Sequence, residues 1–129
     1  MKDVLLVGLG SALGGMARYG IATGFAVRFG VGFPVGTLFA NITGSFLIGL
    51  MFAVLIPGGG RWPSGESGRF FLMTGLMGGY TTFSTFGLET ANFLRAGDAR
   101  TATVYALVSV VGCVAAALTG IFLGGILNR

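Results

Sequence analysis

The 129-residue sequence contains no histidine, a single cysteine and only four acidic residues, and just 9% of its residues are charged. Each scarcity excludes something. One cysteine, Cys113, rules out an internal disulfide, and its place inside an apolar run reads as a small buried hydrophobe with no redox role. A chain this poor in charge, 53% hydrophobic and with a mean hydropathy of +0.87, lies outside the ordinary soluble range and inside the membrane class. Proton-coupled transporters need an embedded carboxylate or imidazole that titrates. Here there is no imidazole, and the one acid within an apolar segment is Glu89, near the end of the third. A pump or antiporter therefore lacks its usual equipment, and passive conduction fits better. No catalytic residue, enzymatic activity or nucleic-acid partner is expected.

What the sequence does contain is long apolar runs. Cutting at charge clusters and at Gly/Pro runs leaves four segments, Val4–Val27, Pro34–Ile56, Phe70–Phe93 and Thr101–Leu127. Each has the roughly 20 residues that a helix needs to cross the hydrocarbon core. The expected architecture is an all-α membrane protein, one four-helix transmembrane domain over residues 1–129. The first segment continues past the length of a signal-peptide core and carries only Lys2 before Asp3, so it is expected to be retained. Its "VLLVGLGSALGG" looks like a dinucleotide-binding loop, with Gly8, Gly10 and Gly14, but no acidic residue follows between Asp3 and Glu66 to meet a ribose. Gly10/Gly14, Gly20/Gly24, Gly75/Gly79 and Gly120/Gly124 read instead as four-residue pairs that let helix backbones approach closely in lipid.

With four spans, Lys2, Arg61, Arg69 and Arg129 fall on one side and Arg28, Arg95 and Arg100 on the other. Orientation follows the Lys/Arg excess of short loops, and four against three is almost none. Insertion in both directions, and hence an antiparallel homodimer about an axis in the membrane plane, is the expectation; Arg18 or an unseen partner breaking the tie is the alternative.

Polar side chains inside spans mark helix contacts or a permeation route. Thr37, Asn41 and Ser45 recur every four residues in the second segment, and Tyr105, Ser109 and Cys113 do so in the fourth, giving each helix one weakly polar stripe. The hydroxyls serve either as glue between helices or as a path; Asn41, with four hydrogen-bonding sites to satisfy, points most firmly to a path. Neutral donors and positively polarised ring edges suit a small anion. Arg18 either raises the potential at a pathway mouth or pairs with Glu89 or a carbonyl.

In the third segment "GGYTTFSTF", residues 78–86, is a poor continuous helix, because glycine adds backbone freedom and Ser/Thr compete for backbone hydrogen bonds. A break is expected there. At membrane depth such backbone must be buried or line a cavity, with freed carbonyls able to hold a small hard cation. Phe83 and Phe86 then share one face beside it.

At these residues the chain resembles the Fluc (CrcB) family of bacterial fluoride channels: "GGYTTFSTF" followed by Glu89, "GTLFANITGSFLIG" in the second segment, "GGMARY" around Arg18, and Tyr105 with Ser109 in the fourth. The resemblance spans nearly the whole chain. It implies a multi-pass protein of the bacterial inner membrane that lets cytoplasmic fluoride leak out, built as an antiparallel homodimer with two pores. It also implies a central sodium ion held by main-chain carbonyls. Carried over, Asn41, Phe83 and Phe86 are pore residues, Tyr105 and Ser109 the polar track, Thr37 the second-span threonine and Arg18 the vestibule arginine. The sodium carbonyls fall on Gly78 and Thr81. Tyr80 and Cys113 depart from the family pattern, and Cys113 weakens any extension of the polar track that far. The rival is a small four-helix drug exporter of dual topology, which needs a carboxylate in its first span, where this chain has Arg18; a non-conducting scaffold subunit is a third reading.

Overall fold

A computed structural model describes residues 1–55 and 65–128. Ile56, most of the Pro57–Arg69 loop including Arg61, and Arg129 lie outside the described residues, so part of the charge tally has no structural counterpart. The described residues form α1 (Lys2–Phe29), α2 (Val35–Leu55), a composite third pass, and α6 (Ala99–Leu127). The third pass starts with α3 (Glu66–Arg69), widens into a π-helix (Phe70–Met77) and tightens again in the single turn α4 (Gly78–Tyr80). It then resumes after a gap as α5 (Phe83–Arg95). No strand occurs among the described residues.

Helices are what lipid permits, since a spanning segment must satisfy its own backbone N–H and C=O groups. α1, α2 and α6 are each long and apolar enough to cross a membrane by themselves. The third pass has no uninterrupted helix of that length, because it is broken where the sequence leads one to expect. Large apolar side chains such as Leu13, Leu118 and Phe122 are exposed around the outside, as a lipid-facing surface requires.

Two helix pairs carry the packing: α2 lies along α6, and α1 lies along the π-helix and α4. Lipid tails are as apolar as leucine, so these pairs depend on close van der Waals approach and not on a hydrophobic drive. Three of the four expected glycine pairs supply it. A Cβ at Gly10 would come within 2.8 Å of Leu76 N, one at Gly75 within 2.9 Å of Val7 O, and one at Gly120 within 2.8 Å of Leu50 N. Gly14, Gly79 and Gly124 are as tightly enclosed. Gly20 and Gly24 are not: nothing lies within 4 Å of either Cβ position, so that pair takes no part in packing within one chain. Gly49, which the four-residue spacing does not pick out, sits instead against the backbone of Ala117.

The turn from α5 to α6 is tied at both ends. Gly97 adopts φ 79°, the left-handed conformation a side chain resists; its N–H donates to Leu94 O, and Asp98 N–H reaches back to Phe93 O, closing the last turn of α5. Asp98 then caps α6 by accepting from Thr101 N–H at 2.9 Å, and hydrogen bonding by the Thr101 side chain, then by its N–H, holds the Asp98 carboxyl below the usual carboxylate range.

Candidate functional site

The break in the third pass is built from threonines and not from the glycines before it. Gly78 and Gly79 stay helical; the chain becomes extended at Thr81 (φ −86°, ψ 159°) and Thr82 (φ −152°, ψ 118°). β-branched residues favour that region, and both threonines bring their own hydrogen bonds. Thr81 donates from its N–H and its Oγ1 to Met77 O, at 3.0 and 2.9 Å, which ends the upper half. Thr82 accepts from Thr85 N–H at 3.2 Å, which starts the lower half. Gly79 serves packing, its Cα face lying on the backbone of Ser11 in α1.

Two extended residues at membrane depth still leave backbone groups without partners, and α1 and α2 answer them. Asn41 clamps Thr82 from both sides of its amide: Nδ2 donates to Thr82 O at 3.0 Å, and Thr82 N–H donates to Asn41 Oδ1 at 2.7 Å. This is the pairing a neighbouring β-strand would supply. It fixes the rotation of the amide group and leaves one of its two N–H groups for other use. Arg18 Nε donates to Gly79 O at 3.2 Å, so the arginine takes the carbonyl among its expected alternatives. The Tyr80 hydroxyl lies 2.9 Å from Thr43 Oγ1, tying the end of the upper half to α2.

Beside the break lies a groove of about 380 Å³. Asn41 and Ser45 line it from α2, Ser109 and Cys113 from α6, and Thr82, Phe83 and Phe86 from the broken pass. The two weakly polar stripes thus face one space, which explains the shared four-residue spacing. The Phe83 and Phe86 rings lie 5.4 Å apart, with Phe83 left 81% exposed. Ser109 is buried to 5% exposure, and its hydroxyl has no hydrogen-bond partner among the described residues. Gly78 and Thr81 line the same groove, and among the described residues no backbone hydrogen bond that crosses element boundaries reaches either carbonyl.

The N-terminal ends of the two stripes meet on a different residue, Glu89 of the lower half. Thr37 Oγ1 donates to Glu89 Oε1 at 2.8 Å and Tyr105 donates its phenol proton to Glu89 Oε2 at 2.6 Å, so one carboxylate joins α2, α5 and α6. Tyr105 has no exposed surface and is enclosed by rings: Phe33 edge-on at 5.4 Å, Phe86 at 5.3 Å and Phe93 at 6.2 Å. Phe33, Phe93, Thr37 and Glu89 also line a second cavity of about 440 Å³. Tyr105 therefore touches residues of both spaces and stands in the wall between them.

Of the residues singled out in the sequence, the structure gathers Asn41, Gly78, Thr81, Phe83, Phe86 and Ser109 at the groove. It puts Thr37 at the second cavity and Tyr105 between the two, while Arg18 lines neither space and binds Gly79 O beside the break. The sequence gives no role to Phe33 or Phe93, and offers Glu89 only as an alternative partner of Arg18, whereas the carboxylate binds Thr37 and Tyr105. Glu89 alone carried a usable signal, as the one acid within a span.

Comparison with known proteins agrees over most of the chain. Residues 5–121 match the family model described as CrcB-like protein, Camphor Resistance (CrcB). A protein of Nitrobacter winogradskyi named fluoride-specific ion channel FluC is 46% identical over 121 residues, covering 92% of this chain and 91% of its own. Proteins of the same name from Coxiella burnetii and Ruminiclostridium cellulolyticum are each 42% identical, covering 95% and 100% of this chain and 97% and 94% of theirs. A match of this extent, joined to four helical passes with the third one broken, makes the chain a multi-pass membrane protein that belongs to the CrcB-like family.

Proposed function

We propose that the protein is a passive, fluoride-selective channel through which cytoplasmic fluoride leaks out, and that the groove beside the third-pass break is one wall of its path. The observation that carries this is the groove itself, in which the Asn41 amide faces the Phe83 and Phe86 rings beside the break. The second Asn41 N–H and the ring edges offer a small anion several weak contacts and no fixed charge to trap it. Fluoride is strongly hydrated, and burying it without such contacts costs several kcal/mol or more; multiple weak donors replace part of the shell and still permit exit. From the groove the path passes Tyr105 into the cavity of Thr37 and Glu89. Arg18, bound to Gly79 O, adds positive potential beside the break. The relatives' printed names support the same ion.

The experiment is fluoride efflux from liposomes holding purified protein. Replacing both Phe83 and Phe86 with Ile keeps bulk and apolarity and removes the ring edges. Efflux is expected to fall at least tenfold, about 1.4 kcal/mol of barrier, with the protein still monodisperse. Wild-type efflux from that variant means that the rings only pack. Proton-driven export of an organic cation, with no fluoride leak, favours the exporter.

The groove is open on one side, and Phe83 is exposed there. A second, antiparallel copy is our choice of roof, with sodium between the copies at the carbonyls of Gly78 and Thr81. Paired carbonyl dipoles suit a small hard cation without a carboxylate. Purified protein is expected to run as a dimer whose melting temperature falls when sodium is replaced by a bulky organic cation, and C-terminal reporters in cells are expected to read out on both sides of the membrane. A melting temperature indifferent to sodium removes the ion; one-sided reporters remove the antiparallel pairing.

A further inference from the structure

The cavity beyond Tyr105, about 440 Å³, is of a size to enclose a small organic molecule. Its lining holds one charged side chain, the half-buried Glu89 carboxylate, and no lysine or arginine. Each carboxylate oxygen accepts one hydrogen bond, Oε1 from Thr37 and Oε2 from Tyr105. A carboxylate offers about four lone-pair sites, so two remain. Both donors are neutral, so the negative charge has no counter-charge in the cavity wall, and a partly enclosed charge is stable only when one is supplied. Phe25, Phe33 and Phe93 line the same space, with the Phe33 and Phe93 ring centroids 6.5 Å apart. A cation seated against both rings lies within the roughly 6 Å over which a ring quadrupole attracts it. Sodium would have to trade its hydration for one carboxylate and a wall of hydrocarbon, whereas a cation with an apolar surface has little hydration to lose.

We propose that this cavity binds a small quaternary ammonium cation, and that the occupied cavity slows fluoride. The ammonium charge sits against Glu89 and its methyl groups against the rings; no covalent bond is made or broken. Because the path runs from the groove past Tyr105 into this space, the seated cation stands in it. The slowing rests on that reading of the path, whereas the binding does not.

Choline is the probe, and its uncharged analogue with carbon in place of nitrogen is the control. In phosphatidylglycerol liposomes, saturating choline is expected to slow wild-type fluoride efflux, while the analogue and sodium at equal concentration leave it unchanged. Glu89→Gln is expected to need about tenfold more choline for half of its effect, and Phe93→Leu several-fold more, the range that lost charge and cation–π contacts give. In detergent, choline and not its analogue is expected to raise the melting temperature of wild type, whether or not the protein conducts. Phosphatidylcholine that slows efflux without added choline names a lipid head group as the occupant, and choline that acts where phosphatidylcholine does not names a soluble cation. An analogue or sodium as effective as choline, a Glu89→Gln that responds as wild type does, or a melting temperature that choline does not move each overturns the site. Should Glu89→Gln fail to fold, Phe93→Leu and the analogue still decide. Absence of any efflux before choline counts against the channel reading itself, and melting then settles the site.

Discussion

Asn41→Asp is expected to abolish fluoride efflux, by a factor of about a hundred or more, equivalent to roughly 2.7 kcal/mol. The substitution keeps the acceptor that Thr82 N–H uses but turns the Nδ2 donor, 3.0 Å from Thr82 O, into a second oxygen. Two acceptors then face each other, and the Thr82 carbonyl loses its partner at membrane depth, a penalty of about 1–3 kcal/mol. A negative charge also enters the groove that an anion is to cross, where the low dielectric lengthens its reach. Both effects act in one direction. Liposome efflux and thermal melting separate them: loss of efflux with a retained melting temperature assigns Asn41 to the path, and loss of both assigns it to the clamp on Thr82. Wild-type efflux from Asn41→Asp refutes both roles.

Gly79→Val is expected to prevent assembly of the four-helix unit altogether. A Cβ at Gly79 would come within 2.8 Å of Ser11 Cα and 3.0 Å of its carbonyl carbon, and nearer still to its oxygen. These are backbone atoms of α1, which cannot swing aside as a side-chain tip can, so the two helices must separate. Separation removes the Arg18 contact to Gly79 O and the close approach at Gly10 and Gly14 together. Overpacking a tight core costs about 1–3 kcal/mol where neighbours can yield, and more where they cannot. Size-exclusion chromatography after membrane extraction checks this: the variant is expected in aggregate or absent, whereas Gly125→Val, with nothing within 4 Å of its Cβ, is expected to behave as wild type. A monodisperse Gly79→Val with an unchanged melting temperature would mean that α1 does not approach so closely.

Much of the fold is legible in the residues because lipid imposes local rules. α1 and α6 overrun the segments read from composition by only a few residues at their ends, and α2 stays within its own. The break lies at Thr81 and Thr82, inside the 78–86 stretch where the sequence leads one to expect it. Ser/Thr side chains do take over backbone hydrogen bonds there, while Gly79 packs on the backbone of α1 and a Cβ at Gly78 would meet nothing within 4 Å. Nothing in the residues signals the π-helix over Phe70–Met77, which shares its apolar composition with the α-helices around it.

What the sequence alone determined is what depends on neighbours along the chain: membrane class from composition, passes from run length, two polar stripes from a four-residue period, and a break from clustered hydroxyls. What only the tertiary structure decided is where each polar group spends its hydrogen bonds. Asn41 meets Thr82 across 41 positions, Thr37 meets Glu89 across 52 and Arg18 meets Gly79 across 61. Local periodicity carries no information at such separations. The same holds for the glycines. Gly10/Gly14 and Gly20/Gly24 share one spacing on one helix, yet only the first pair faces the third pass, because the direction in which a helix meets its neighbour is set by the whole bundle and not by the helix.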